Sequence, residues 1–79
     1  GRRVKLVTWM MDRPGELLKF VSYLEEMKIN ILYINHDRAD RSVPLGVTRV
    51  ELDLETRNAQ HAKEVADTLR KAGYKIEMR

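Results

Sequence analysis

The chain contains no cysteine, which excludes a disulfide scaffold, a thiolate zinc site and thiol catalysis. No apolar run reaches membrane-spanning length and no signal peptide is visible, so no membrane partner is expected and a cytoplasmic location is. Histidine is scarce. His36, His61 and the scattered carboxylates show no metal-ligand spacing, so no metal site is expected. Phosphate-cradling glycine loops are absent, and Ser22 and Ser42 have no base partner in view. His36 and Asp37 are neighbours on an extended stretch, so their side chains face opposite ways and cannot act as base and orienter. His61 is expected to face solvent about one turn before Val65. No catalytic residues are therefore expected, and no hydrolase, kinase or lyase active site is contained in this chain. Neither sign of charge dominates, with 15 basic against 12 acidic residues for a net charge of +3. Their interleaving reads as an ordinary solvated surface rather than a nucleic-acid face.

What is present is one domain, residues 1–79. A domain of this size buries only roughly 60–65% of its unfolded surface, so a partner chain or a larger parent protein is expected. Gly1 stands where a methionine would begin a complete chain, which suggests a fragment or a trimmed protein. No linker or low-complexity segment divides the chain.

Val4 to Met11 reads as a strand, and Arg13 to Lys28 follows with helical spacing, with Leu17, Phe20, Val21, Leu24 and Met27 on one stripe. Ile29 to His36 reads as a second strand, and Asp37 to Gly46 has the composition of an exposed connection. In Val47 to Leu54, Thr48, Val50, Leu52 and Leu54 alternate with Val47, Arg49, Glu51 and Asp53, the pattern of a strand with one dry face. Asn58 can cap a second helix, Ala59 to Ala72, whose stripe is Ala62, Val65, Ala66, Leu69 and Ala72; Gly73 ends it. Tyr74, Ile76 and Met78 alternate with Lys75, Glu77 and Arg79 in a short last strand. The order βαββαβ is the ferredoxin-like α+β plan: a four-stranded antiparallel sheet, first and third strands central, with two helices on one face.

Two features stand out against this frame. The first is Asp12-Arg13-Pro14-Gly15-Glu16, between the first strand and first helix. Pro14 suits a first helical turn and Asp12 can cap it, whereas Gly15 costs up to ~1 kcal/mol there unless a bare backbone is approached closely. The amides of Gly15, Glu16 and Leu17 would then offer a site for a carboxylate; the plainer reading is a tight turn from strand to helix. The second feature is the sheet's open face. Val4, Leu6 and Met10 suit the helix side, while Val7, Trp9 and Met11 point the other way, beside Arg49 and Glu51. Such an apolar group marks a contact surface, or else Trp9 lies over the aliphatic stem of Arg49 within one chain.

The stretch Asp12-Arg13-Pro14-Gly15-Glu16-Leu17, followed by a helix and Asn30-Ile31-Leu32, resembles an ACT domain over essentially the whole chain. Asn35-His36-Asp37-Arg38-Ala39, Leu45-Gly46-Val47, Leu54-Glu55-Thr56-Arg57 with His61, and Ala72-Gly73-Tyr74 resemble more narrowly the carboxy-terminal ACT domain of threonine dehydratases (threonine ammonia-lyases). The resemblance implies a regulatory module that binds a small amino acid between protomers, isoleucine or valine favoured, in isoleucine biosynthesis or threonine catabolism. It implies ligand-binding residues Asp12, Arg13, Pro14, Gly15, Glu16, Leu17, Asn30 and Ile31. Of these, Asp12 suits the ammonium group, Leu17 and Ile31 are candidate apolar walls, and Asn30 can serve either end of a zwitterion or simply turn the chain. It further implies a homo-oligomer, and an upstream catalytic domain holding pyridoxal phosphate; no cofactor belongs to this chain. Val7, Trp9 and Met11 are the expected interface residues. The chain departs from the family pattern at Met27-Lys28-Ile29, which lacks the glycine often found before the asparagine, and at the bulky Met10 and Met11. Two other readings share the plan. One is a structural ACT-like module without ligand. The other is an RNA-recognition fold, which would need aromatics where the third strand carries Arg49, Glu51 and Asp53.

Overall fold

The alternation seen in the sequence builds the sheet. In the computed structural model, which describes residues 2–37 and 43–79, the elements run β1 (Arg2–Met11), α1 (Glu16–Glu26), β2 (Asn30–Asp37), β3 (Val47–Thr56), α2 (Ala59–Lys71) and β4 (Ile76–Met78). Arg38, Ala39 and Ser42 lie outside the described residues. The sheet order is β2-β3-β1-β4 with every pairing antiparallel, so β1 and β3 are central and β1 and β2 run the same way. Thr48, Val50, Leu52 and Leu54 are all buried. They form one core with Val4, Leu6 and Met10 of β1, Phe20 and Leu24 of α1, and Val65 and Leu69 of α2, so both helices cover the same face. Tyr74 precedes β4 rather than lying in it, and its ring meets Phe20 edge-on at 4.9 Å and Tyr23 at 5.9 Å. Burial there pushes the Tyr74 phenol above its usual range.

The helix ends differ from the sequence expectation in instructive ways. The N-cap of α1 is Gly15, with φ 87°, so Asp12 does not occupy the cap position. Pro14 lies outside the helix, because Pro14-Gly15 forms the corner of a β-turn closed by the Glu16 N–H donating to the Arg13 carbonyl at 3.3 Å. Proline then glycine with positive φ is the type II pattern. Gly15 is favoured by its backbone angle, and no other described part of this chain approaches it closely: a Cβ there would meet nothing within 4 Å.

Both helices end in Schellman motifs. In α2 the Gly73 N–H donates to Arg70 O and the Tyr74 N–H to Leu69 O. In α1 the same bonds run from Lys28 to Glu25 O and from Ile29 to Leu24 O, but lysine occupies the left-handed position at φ 60°. That left-handed position is one where glycine is the unstrained residue. Lys28→Gly is therefore expected to stabilise the fold by ~0.5–1 kcal/mol, read by denaturant unfolding. Ala72, assigned to the α2 stripe from its spacing, is exposed at the C-cap.

Asn58 caps α2 as expected, its Oδ1 accepting from the His61 N–H at 2.9 Å. His61 itself is buried rather than solvent-facing: its Nδ1 accepts from the Arg57 N–H at 3.0 Å. The imidazole satisfies an amide just outside the helix start, a role that helical spacing alone does not reveal.

Candidate functional site

The Asp12–Leu17 loop is held at both ends. The Asp12 N–H donates to Gly46 O at 2.9 Å, and the Arg13 N–H folds back to Met11 O at 2.9 Å. Gly46 has φ 84° in a second turn, closed by the Val47 N–H on Pro44 O at 3.1 Å. Strand β3 and the loop are thereby tied together at the end of the sheet where α1 begins. One of the three amides expected to cradle a carboxylate, that of Glu16, is already used by the turn. Leu17 is half-buried against the core, whereas Leu18 beside it is 70% exposed.

Asn30 and Ile31 lie at the opposite end. Met11 pairs with Val47, but Asn30 pairs with Glu55, eight positions further along β3 and about 26 Å of strand away. Asn30 and Ile31 instead line a cavity of about 520 Å³ with Val21, Glu25, Lys28 and Ile29. The walls are aliphatic and the rim carries one acid and one base. The residues expected to form a single ligand site thus lie in two groups at opposite ends of the sheet.

On the open face, Val7 is fully buried although it points away from the helices. Glu51 on β3 and Glu77 on β4 flank it in register, and the Arg49 guanidinium bonds the Glu51 carboxylate beside it. That hydrogen bond holds the Glu51 carboxyl below the usual carboxylate range. Trp9 is half-buried opposite Arg49, with the Lys75 ammonium 4.7 Å from its ring centroid. Of the expected contact group only Met11, 44% exposed, is well open to solvent. Long polar stems close over the other two.

Exposed apolar area is found instead along β2, the long edge strand. Tyr33 is 55% exposed, and Leu32 and Ile34 are also open. A register shift between Ile31 and Tyr33 leaves Leu32 out of the pairing with β3, and His36 returns to the helix side, 3.5 Å from the Thr48 hydroxyl. Sequence reasoning passed over Leu18, Leu32, Tyr33 and Ile34. The available signal was the strand order itself, which makes the second strand an edge. Among the described residues no group of His, Asp and Glu is placed to hold a metal ion, and no helix is long and apolar enough to cross a membrane.

No family model matches the chain. Two curated relatives do: L-threonine ammonia-lyase of Thermotoga maritima, 37% identical over 76 residues, and that of Geobacter sulfurreducens, 40% identical over 78. These alignments cover 96% and 99% of this chain but 19% of each relative. Among solved structures, the ACT domain from GTP pyrophosphokinase of Chlorobium tepidum matches with a TM-score of 0.73 at 18% identity, covering 98% of this chain and 96% of that one. The chain has the fold of an ACT domain.

In this ACT-like fold the Asp-Arg-Pro-Gly loop is a type II turn leading into α1, and the cavity lined by Asn30 and Ile31 lies at the far end of that helix. Gly15 separates the backbone role from the ligand role. Gly15→Val is expected to lower stability by roughly 1–3 kcal/mol through its positive φ, while Gly15→Asn, which tolerates that angle, costs less. Chemical denaturation of both variants reads this directly. A loss of amino-acid binding in a stable Gly15→Asn protein would then report a contact made from outside the chain.

Proposed function

We infer that this ACT domain is the regulatory domain of a threonine ammonia-lyase and binds a small aliphatic amino acid, isoleucine or valine favoured, between two copies. The carrying observation is the separation of the half-sites. The loop at the start of α1 and the Asn30 cavity stand at opposite ends of the sheet, so one chain cannot close both around one ligand. Two copies joined antiparallel along β2 can, because that pairing sets the β2 start of one beside the loop end of the other. The unpaired β2 edge carries the exposed Leu32, Tyr33 and Ile34 that such a joint would cover.

In this arrangement the helix-start amides and Asp12 of one copy meet the charged groups of the ligand. Asn30 and Ile31 of the other copy, with Val21 behind them, receive its polar groups and aliphatic side chain. The ligand shifts activity only through its differential affinity for one arrangement of domains. The lyase chemistry and its pyridoxal phosphate then reside in the remainder of a cytoplasmic parent enzyme, with which this domain communicates.

Calorimetric titration with isoleucine, valine and threonine, on this chain and on the parent enzyme, tests the reading. Saturable binding of isoleucine or valine with a matching change in parent activity is expected. If no amino acid binds either protein, the domain is a ligand-free oligomerisation module.

A further inference from the structure

A second groove lies on the other side of the molecule, where α2 crosses the β1–β4 edge. Its volume is about 330 Å³, and its rim carries four cations: Arg2, Lys63, Arg70 and Arg79. No Asp or Glu is among its lining residues. The floor is apolar, formed by Val4, Ala62, Ala66 and Met78. On α2, Ala59, Ala62, Lys63, Ala66 and Arg70 fall on one helical face, so alanine supplies the concavity while Lys63 and Arg70 bracket it two turns apart, about 10 Å.

The lining of this groove is of one charge sign, in a chain whose 15 basic and 12 acidic residues are otherwise interleaved. The four cations come from separate parts of the chain, the start of β1, two turns of α2 and the residue after β4, and the fold brings them to one groove. Two of the cations have partial partners. Arg70 Nη1 is 3.7 Å from Asp67 and Arg79 Nη2 is 3.9 Å from Glu77, both exposed pairs of small effect. Arg70 Nη2 also donates to Ile76 O at 2.9 Å, which fixes that guanidinium at the groove wall.

We propose that this groove is an anion site that takes a phosphate monoester on a compact, flat apolar body. Four cations balance a dianion better than a single carboxylate, and arginine forks match phosphate oxygens in pairs. The alanine floor offers flat apolar contact to the body of the ligand, and the volume lies in the range of small-molecule clefts. Nothing in the amino-acid site at the β2 side contributes to it, so the two sites stand or fall separately.

Phenyl phosphate is the probe, with inorganic phosphate and benzoate as controls at constant physiological ionic strength, read by amide chemical shifts of the 79-residue chain. Saturable shifts at Ala62, Ala66 and Met78 are expected, at a concentration about tenfold lower for phenyl phosphate than for either control, because inorganic phosphate lacks the ring that the floor would bury and benzoate lacks the second negative charge and the third oxygen that the cations would hold. Lys63→Ala sits at an exposed position where alanine favours the helix, and is expected to weaken binding several-fold. Lys71→Ala, on α2 but outside the groove, should leave it unchanged. The proposal is overturned if phenyl phosphate shows no saturation or if inorganic phosphate saturates equally well. It is equally overturned if Lys63→Ala in a folded protein has no effect, or if Lys71→Ala weakens binding as much.

Discussion

Leu32→Lys together with Tyr33→Lys is expected to give a folded monomer whose affinity for isoleucine falls by roughly 100-fold. Both side chains are exposed on an edge strand, so their replacement should change the stability of the single chain by little more than ~0.5 kcal/mol each. Lysine at a sheet edge opposes strand addition, because two charged edges cannot approach without desolvating and repelling one another. The expected loss of binding rests on the proposed arrangement, in which the loop and the Asn30 cavity, at opposite ends of one sheet, meet only across the joint. Sedimentation and calorimetry on the same sample distinguish the outcomes. A variant that still self-associates would move the joint to another surface, such as the open face at Met11. A monomer with full affinity would place the ligand inside the cavity of one chain.

The second large effect is on the fold itself. Phe20→Ala is expected to cost ~3–5 kcal/mol. Phe20 is fully buried beneath α1 and meets the Tyr74 ring edge-on at 4.9 Å, and Tyr23 meets the same ring edge-on at 5.9 Å. Its removal leaves a cavity and strands both tyrosines. A domain of 79 residues has a total stability of roughly 4–12 kcal/mol, so much of the population would unfold near physiological temperature. Phe20→Leu, which retains most of the volume, should cost far less, and thermal unfolding of the pair measures the difference. If Phe20→Ala costs under ~1 kcal/mol, α1 is not anchored as described.

The parts of the fold that were legible in the sequence are those where local periodicity and burial agree. The alternation from Thr48 to Leu54, the stripe through Phe20 and Leu24, and the Asn58 cap all appear as expected. The strand bounds shifted by a few residues: β1 begins at Arg2 and β3 runs to Thr56. Pairing energy continues past the last apolar residue wherever the neighbouring strand supplies partners. The Asp12–Leu17 loop was legible as a feature and misread in detail. Pro14-Gly15 fits both a first helical turn and a type II turn, and the choice depends on the tie between Asp12 and Gly46, which are far apart in sequence.

By itself, then, the sequence determined the class of fold, the order of elements and the faces that pack, because these depend on spacing within single elements. It also carried the likeness to ACT domains of threonine ammonia-lyases. Only the tertiary structure decided which surfaces remain open. Val7 reads as exposed but is roofed by polar stems from two neighbouring strands, and His61 reads as exposed but is buried on an amide. Leu32 and Tyr33 read as ordinary strand residues but lie on an unpaired edge. The two groups of proposed ligand residues look adjacent as motif residues, yet β1 and β2 run in the same direction and set them at opposite ends of the sheet. The reason is common to all of these. Exposure, edge position and proximity depend on pairings between distant segments, and no local pattern encodes which strand becomes whose neighbour.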